Sequence, residues 1–421
     1  MSVRPADASR RRVRRHGMVV AGLLGLALAA TGCQSGERAS SAQGGDHAVP
    51  AADSPTASPT PSAPPVSAAT VSVNLSGRGV TVDRILKVAA HQGTLTKVSV
   101  QAGKKGGKRL AGSLSQDGTT WTASARLEPD TRYRVRAVAV DHDKIATTLR
   151  ASFRSQALTL DQQTYPSFVP VDGDTVGVGM PVIVRFDVPV RDRASIERHL
   201  QVTNTSHQKG AWHWISDNEV HWRPVHYWKP GTDVTVTADV NSIPAGHGIY
   251  GQLSRTSSFH VGRSVVSKVN AQTDQMRVFI DGGLARTIPI TTGKQGFTTR
   301  SGTKVIVEKF RHKRMNSETI GIDPNSADGY DLSNVEYAMR ITYSGEFLHA
   351  APWSVGSQGS ANVSHGCTGM STANAEWLYS NSMVGDPVEF TGTDRYMTLD
   401  NGYGDWNLPF KEYKQGSALA G

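Results

Sequence analysis

Cys367 stands in "SHGCTGMS" (364–371), and the only other cysteine among the 421 residues is Cys33. A thiol attacks or ligates as the thiolate; with an ordinary pKa of about 8.5, only a few per cent is ionised near neutrality. A neighbouring imidazole raises that fraction by taking the proton. Two histidines qualify: His365, two residues before the thiol, and His349, sixteen before His365. On an extended segment residues i and i+2 share a face, which brings His365 beside Cys367. His349 closes the run "GEFLH" and is followed by "AAPW", a strand end from which an imidazole can be aimed across a loop. His349, His365 and Cys367 could also ligate zinc, but no HExxH or CxxC pattern accompanies them and no carboxylate is at hand as general base. A third reading makes Cys367 a buried, inert core thiol.

Elements must hold these groups in place. After the cysteine, "STANAEWLYSNSMVGDPVEF" (371–390) predicts one helix and a strand, with Ser371 as N-cap and Gly385 as the stop. Ala375, Leu378, Tyr379 and Met383 would share a helical face. Cys367 then lies on the approach to a helix N-terminus, whose partial positive charge favours thiolate. Upstream, from 264, strand pairs joined by Gly-containing turns predict β structure.

Residues 70–155 alternate apolar and polar ("TKVSVQA", "YRVRAVAV"), and 156–262 repeat the style ("PVIVRFDVPV", "DVTVTADV") with one short helix at "DRASIERHL". Period-2 segments broken by Gly, Asp and Pro turns predict two Ig-like β-sandwiches, without the Cys…Trp…Cys core of antibody domains. The second contains "GAWHWISDNEVHWRPVHYWKPG" (210–231), with Trp212, Trp214, Trp222 and Trp228 among His213, His221 and His226. Alternation places Trp212 and Trp214 on one core-facing side, and the histidines lack acidic or cysteine partners at ligand spacing, so packing is expected rather than sugar or metal binding.

The first 32 residues read as an export signal: arginines, the apolar run "MVVAGLLGLALAA" (18–30), then "TGC". That run is shorter than the roughly 20 apolar residues of a permanent span. Small residues before Cys33 resemble a lipobox, which makes Cys33 the lipidated N-terminus of a membrane-anchored protein; an ordinary cleavage site would leave it a free thiol. Residues 33–69 are a Ser/Ala/Pro-rich linker that cannot bury enough apolar surface to order itself. The net charge is +9, of which six arginines and Asp7 before Cys33 supply +5, leaving +4 for residues 33–421. This discounts nucleic acid as a partner. "GKKGGKR", beginning at Gly103, reads as a solvated hairpin loop rather than a contact for an anionic polymer.

Taken as a unit, "HAAPWSVGSQGSANVSHGC" resembles the L,D-transpeptidase signature, a histidine about 14–17 residues before Ser/Thr-His-Gly-Cys; here 14 residues separate His349 from Ser364. "DGYDLSNVEYAMRITYSGEFLHAAPWS", "GYGDWNLPF" and "NEVHWRPVHYWKPGT" look like members with two Ig-like domains ahead of the catalytic one. The resemblance implies a mainly β chain: signal 1–32, linker 33–69, Ig-like domains 70–155 and 156–262, a β-rich catalytic domain 263–393 with one short helix after the nucleophile, and a C-terminal extension 394–421. It also implies roles. Cys367 matches the nucleophile and His349 its activating base, oriented by the Ala350 carbonyl. His365 and Gly366 flank the nucleophile, and the N–H groups of 365–367 help form an oxyanion hole. Tyr330 lines the site, Trp353 lies in a loop over it, and Ser364 supports the histidines through hydrogen bonds. Gly369 stands where the family usually has asparagine or arginine, and Thr368 replaces an apolar residue, which removes a side-chain contact near the site. The implied activity is 3→3 cross-linking of peptidoglycan stem peptides through a thioester with release of D-Ala; water as acceptor would make it a carboxypeptidase. A non-catalytic, wall-binding lipoprotein is the alternative. No cofactor or metal is implied, and carbapenem-type β-lactams are the implied inhibitors. The expected location is the outer face of the membrane, reaching the wall.

Overall fold

The computed structural model describes residues 68–104 and 107–420. The leader, Cys33 and all but the last two residues of the 33–69 linker lie outside it. Ala69 already packs in the core of the first sandwich. The chain is mainly β, with two β-sandwiches ahead of a further two-sheet part.

Residues 70–155 form two four-stranded sheets. One runs Thr70–Val73, Lys87–His91, Thr120–Ala123, Gly112–Leu114; the other runs Gly77–Val80, Ala146–Ser155, Arg132–Val140, Thr94–Ala102. In "YRVRAVAV" Tyr133, Val135, Ala137 and Ala139 are buried while the arginines between them face outward, which is the alternation that a half-buried strand requires. The second sandwich repeats the plan over 166–261. Its core holds Trp212, Trp214, Trp222 and Trp228, all buried, with Trp222 stacked on Trp228 at 5.3 Å between ring centroids. The short helix is Arg193–Glu197, capped by Asp192 accepting from the Ser195 N–H.

From 265 onward a five-stranded sheet (Gly283–Pro289, Gln275–Ile280, Val265–Asn270, Pro387–Thr391, Gly302–Val305) faces a four-stranded one (Glu308–Asn316, Asp331–Arg340, Phe347–Ala350, Thr368–Met370). Helix Thr372–Asn381 joins the core they share: Ala375 and Leu378 are buried there beside Met276, Met339, Leu348 and Met370. Ser371 caps the helix by accepting from the Asn374 N–H. The helix ends sooner than the sequence predicts. Ser382 turns extended, so Met383 falls beyond the helical face, and Gly385, at φ +97°, sits in the following turn.

The C-terminal segment is a strap rather than a simple extension. Trp406 donates to the Gly179 carbonyl at 2.7 Å. Arg223 of the second sandwich, itself buried, lies between the Trp406, Phe410 and Tyr413 rings. Beneath it His221 is held between Asp405 at 2.9 Å and Glu219 at 2.7 Å. The expectation that these histidines lack acidic partners is therefore wrong for His221: Glu219 is on the same face two residues away, and Asp405 arrives from the strap.

Candidate active site

Strands Phe347–Ala350 and Thr368–Met370 pair in parallel, with His349 opposite Gly369. Cys367 precedes Gly369 by two residues, so its side chain shares a face with His349. Both side chains line one cavity of about 340 Å³, together with Tyr330, Trp353, Ser364 and His365. The sheet register, not proximity in the chain, thus brings thiol and imidazole to one cavity.

His349 is buried, and its Nδ1 donates to the Ala350 carbonyl at 2.7 Å. That bond leaves Nε2 as the lone-pair nitrogen. Burial holds the imidazole pKa below its usual value, against a smaller opposing effect of the carbonyl. Trp353, 58% exposed, lies nearly parallel to the His349 ring at 5.9 Å. His365 packs instead against Phe297 (4.7 Å) and Tyr330 (5.2 Å), with Nε2 3.5 Å from Asp328.

The thiol is neutral at rest. Burial pushes the Cys367 pKa up to about 11; the Phe347 N–H and the Lys304 charge pull it down and the Glu346 charge pushes it further up. Sγ also lies 3.6 Å from the Gly345 carbonyl, an acceptor for S–H. The expected help from the helix dipole is absent, because strand Thr368–Met370 separates Cys367 from the helix. Three strand residues span roughly 10 Å, and the dipole's influence fades within the first turn. A neutral thiol and a neutral imidazole lining one cavity are the starting point of general-base chemistry; at rest the acceptor for the S–H is the Gly345 carbonyl.

The loop is fastened from within. Ser364 Oγ donates to the Cys367 carbonyl at 2.6 Å and accepts from the Gly366 N–H at 3.1 Å. Ser364 therefore braces the backbone of the turn and does not bond to the histidines, a correction to its expected role. The Gly366 N–H is correspondingly committed and is no free oxyanion donor. Gly366 has φ +119°, a conformation that a side chain would strain, and its carbonyl accepts from Thr299 Oγ1 at 2.8 Å. Gly369 is fixed by space. A Cβ there would lie 2.8 Å from Ala351 Cβ and 3.1 Å from Thr291 Cγ2, while its backbone exchanges two bonds with Thr291 at 2.9 Å. Its lack of a side chain is thus a packing requirement. Thr368 is fully buried, and its hydroxyl has no partner among the described residues.

Sequence reasoning missed the groups behind the thiol. Lys304 is fully buried, with Nζ 2.5 Å from Glu346 Oε2; Arg300 holds the other carboxylate oxygen at 2.9 Å. Burial lowers the Lys304 pKa to about 8, with Glu346 opposing. No motif marks this triad, whose members lie up to 46 residues apart. Cys367 also borders a second cavity of about 220 Å³, lined by Tyr343, Ser344, Gly345 and Phe347, with Tyr330 and Met315 common to both.

Cys367 and His349 share one cavity and Cys367 borders a second, in a two-sheet domain behind two β-sandwiches, which is the arrangement that the 349–367 signature leads one to expect. Comparison with known proteins agrees. Residues 264–390 match the L,D-transpeptidase catalytic domain (YkuD), and residues 77–244 match a bacterial Ig domain. The chain is 34% identical over 417 residues to L,D-transpeptidase 2 of Mycobacterium tuberculosis, covering 99% of this chain and 98% of that protein. It is 36% identical over 321 residues to L,D-transpeptidase 5 of the same species, covering 74% and 69%. A solved L,D-transpeptidase in complex with imipenem is 38% identical, covering 53% of this chain and 97% of that one, with a TM-score of 0.48. The chain belongs to the L,D-transpeptidase family.

Proposed function

We propose that the protein forms 3→3 cross-links between peptidoglycan stems. Cys367 is the nucleophile, His349 the base, and D-Ala the leaving group. His349 Nε2 takes the S–H proton as sulfur attacks the carbonyl of the third stem residue. The C–N bond to D-Ala then breaks, the imidazolium protonates the departing amine, and a thioester remains. The side-chain amine of a second stem attacks that thioester, and its proton returns through His349 to sulfur. The oxyanion is met by the Cys367 N–H and by the Tyr330 hydroxyl, which burial keeps protonated, its pKa raised to about 12. Each donor of this kind is worth about 3–4 kcal/mol in related chemistry.

The observation that supports a two-substrate transferase over a hydrolase is the position of Cys367 between two cavities that share Tyr330 and Met315. One suits the donor acyl chain and the other an acceptor. We also infer acylation of Cys367 by carbapenem-type β-lactams, since an imipenem complex is known for a relative. The "TGC" at Cys33 supports a lipid-anchored protein that reaches the wall through its linker. Loss of membrane partitioning in Cys33→Ser is the result expected of the anchor; unchanged partitioning rules it out.

Intact-mass measurement after incubation with a tetrapeptide stem tests the chemistry. A tripeptide acyl adduct on Cys367 and a cross-linked dimer are expected, and neither from a folded Cys367→Ala variant. Undiminished D-Ala release by that variant would end the proposal. Tripeptide without dimer, even with excess acceptor, would make the enzyme a carboxypeptidase.

A further inference from the structure

The charge of this protein is concentrated in one module. Residues 70–155 hold fifteen Lys and Arg against six Asp and Glu, a net +9, whereas residues 156–421 hold 23 against 26, a net −3. Within the module the charge is ordered by a sheet. Alternation along Arg132–Val140 sends Arg132, Arg134 and Arg136 outward. The register then sets Arg136 opposite Arg150, and Arg132 opposite Arg154. Like charges directly opposite destabilise a sheet pair, and little on this face relieves them. Arg154 pairs with Asp130 at the rim, at 2.7 Å. Among the described residues Lys97, Arg109, Arg136 and Arg150 make no ion pair with a carboxylate. Arg134 donates to the Gly103 carbonyl at 2.6 Å.

The face is concave. A depression of about 590 Å³ is lined by Lys97, Arg109, Arg132, Arg134, Arg136 and Arg150 and by no acid. A second, of about 330 Å³, shares Arg132 and Ser152 with it and adds Arg78 and Arg154. Joined at Arg132, the two make an elongated track. Outward residues along a strand recur about every 7 Å, and neighbouring strands lie about 5 Å apart. Such a lattice fits a chain with one fixed anionic charge per repeat, and guanidinium forks suit phosphate oxygens. No exposed aromatic ring lines the track, so stacking of nucleobases is not provided for.

We propose that this outward sheet face is a docking surface for a linear phosphodiester polymer, separate from the Cys367 site. It tethers the first sandwich to an anionic polymer and does not depend on the reaction assigned to that site.

The test uses the full-length protein and fluorescently labelled poly(glycerol phosphate), with binding read by anisotropy. Saturable binding is expected, weakening by about tenfold or more between 50 and 200 mM salt as arginine contacts release counterions. Arg136→Ser with Arg150→Ser is expected to weaken binding by about tenfold at the lower salt, with thermal stability equal to or above the parent's, since the opposed like charges are removed, and with Cys367 alkylation unchanged. Lys97→Gln with Arg109→Gln, the first on strand Thr94–Ala102 and the second at an isolated bridge to Gln101, is a second variant with the same expected loss. Arg311→Ser with Arg314→Ser, whose partners are Glu336 and Asp331 on another sheet, is expected to bind as the parent does. Absence of saturable binding, parent-like affinity in both track variants, or equal loss in the control variant would overturn the proposal. So would equal affinity for poly-glutamate, which would mark a general polycarboxylate surface, or tighter binding of oligo-dT.

Discussion

His221 and His349 are both withdrawn from water, at 1% and 5% exposure, yet one holds two ring protons and the other holds one. His221 lies between carboxylates that can only accept, Asp405 at Nδ1 and Glu219 at Nε2, so both ring nitrogens donate. Burial alone would push its pKa down; the two carboxylates overcome that and raise it to about 9. His349 has a single acceptor, the Ala350 carbonyl, and burial wins. The difference teaches that burial does not set a histidine's state; the number of anionic acceptors does. A clamped imidazolium fastens the strap, whereas a half-satisfied neutral ring keeps a lone pair, which the proposed mechanism uses on the thiol.

The largest effect should come from removing that lone pair. His349→Gln keeps an N–H for the Ala350 carbonyl but has no basic nitrogen. Acylation of Cys367 by a tetrapeptide stem should fall by about a thousandfold, read by stopped-time mass spectrometry. His221→Gln, by the same assay on folded protein, should stay within a few-fold of the parent. If the two variants lose activity equally, the division between base and clamp is wrong. The pH profile sharpens it: with the pKa of His349 lowered, the base stays neutral at pH 6.5 and above, so the acid limb of acylation should lie below 6.5.

Stability should divide the other way. Breaking a buried ion pair by removing one partner costs about 3–5 kcal/mol, and the rise of His221 from 6.5 to about 9 is itself worth about 3 kcal/mol. Denaturant unfolding of His221→Gln or Asp405→Asn should show a loss of this size. His221 is raised, so its contribution is complete below pH 6.5 and is lost as pH climbs through about 9. Glu219 is lowered to about 2 through its bonds to His221 and Arg185, against burial; its contribution is complete above 4.5 and is lost as pH falls toward 2. The stabilisation supplied by the His221–Glu219 pair should therefore be largest between about 4.5 and 6.5, and the His221→Gln profile should be flatter on the alkaline side. An unchanged alkaline limb in that variant would remove the imidazolium from the account.

The two histidines also mark how far the sequence can be read. Cys367 and His349 are legible because their spacing is local and their residue types are rare, and the strands are legible from alternation. The clamp is half legible: Glu219 and His221 sit two apart on one strand, a signal in plain view, but Asp405 lies 184 residues away and leaves no local trace. The same holds for Lys304, on a strand of one sheet, and Glu346, immediately before a strand of the other, which meet only where the two sheets pack. Ser364 is misread because a turn offers its hydroxyl a backbone carbonyl three residues on, closer than any imidazole. The basic track escapes for a related reason. Its arginines lie on separate strands, and only the register that sets Arg136 opposite Arg150 and Arg132 opposite Arg154 gathers them on one face.

A smaller test moves from the base to the thiol. Glu346 raises the thiol's proton affinity and Lys304 lowers it. Glu346→Gln should therefore lower the thiol pKa, and Lys304→Met should raise it, each by roughly one unit as expected for a nearby charge. Titrating the rate of iodoacetamide alkylation reads this directly. A purely structural role for the triad would move both variants in the same direction, so shifts of equal sign would exclude electrostatic tuning.

The smallest effect concerns Thr368, which pairs with Leu348 beside the His349–Gly369 pair. Its hydroxyl is buried without a partner among the described residues, the opposite of the doubly satisfied His221. Leaving such a group unbonded costs about 1–3 kcal/mol, while an apolar group of the same shape carries no such penalty. Thr368→Val should therefore stabilise the protein by about 1 kcal/mol, seen as a raised denaturation midpoint with an unchanged slope. Because the methyl replaces the hydroxyl without changing the sheet register, acylation should remain within about twofold. A lower midpoint would mean that this hydroxyl is bonded after all, and the contrast between an unsatisfied Thr368 and a doubly satisfied His221 would then be lost.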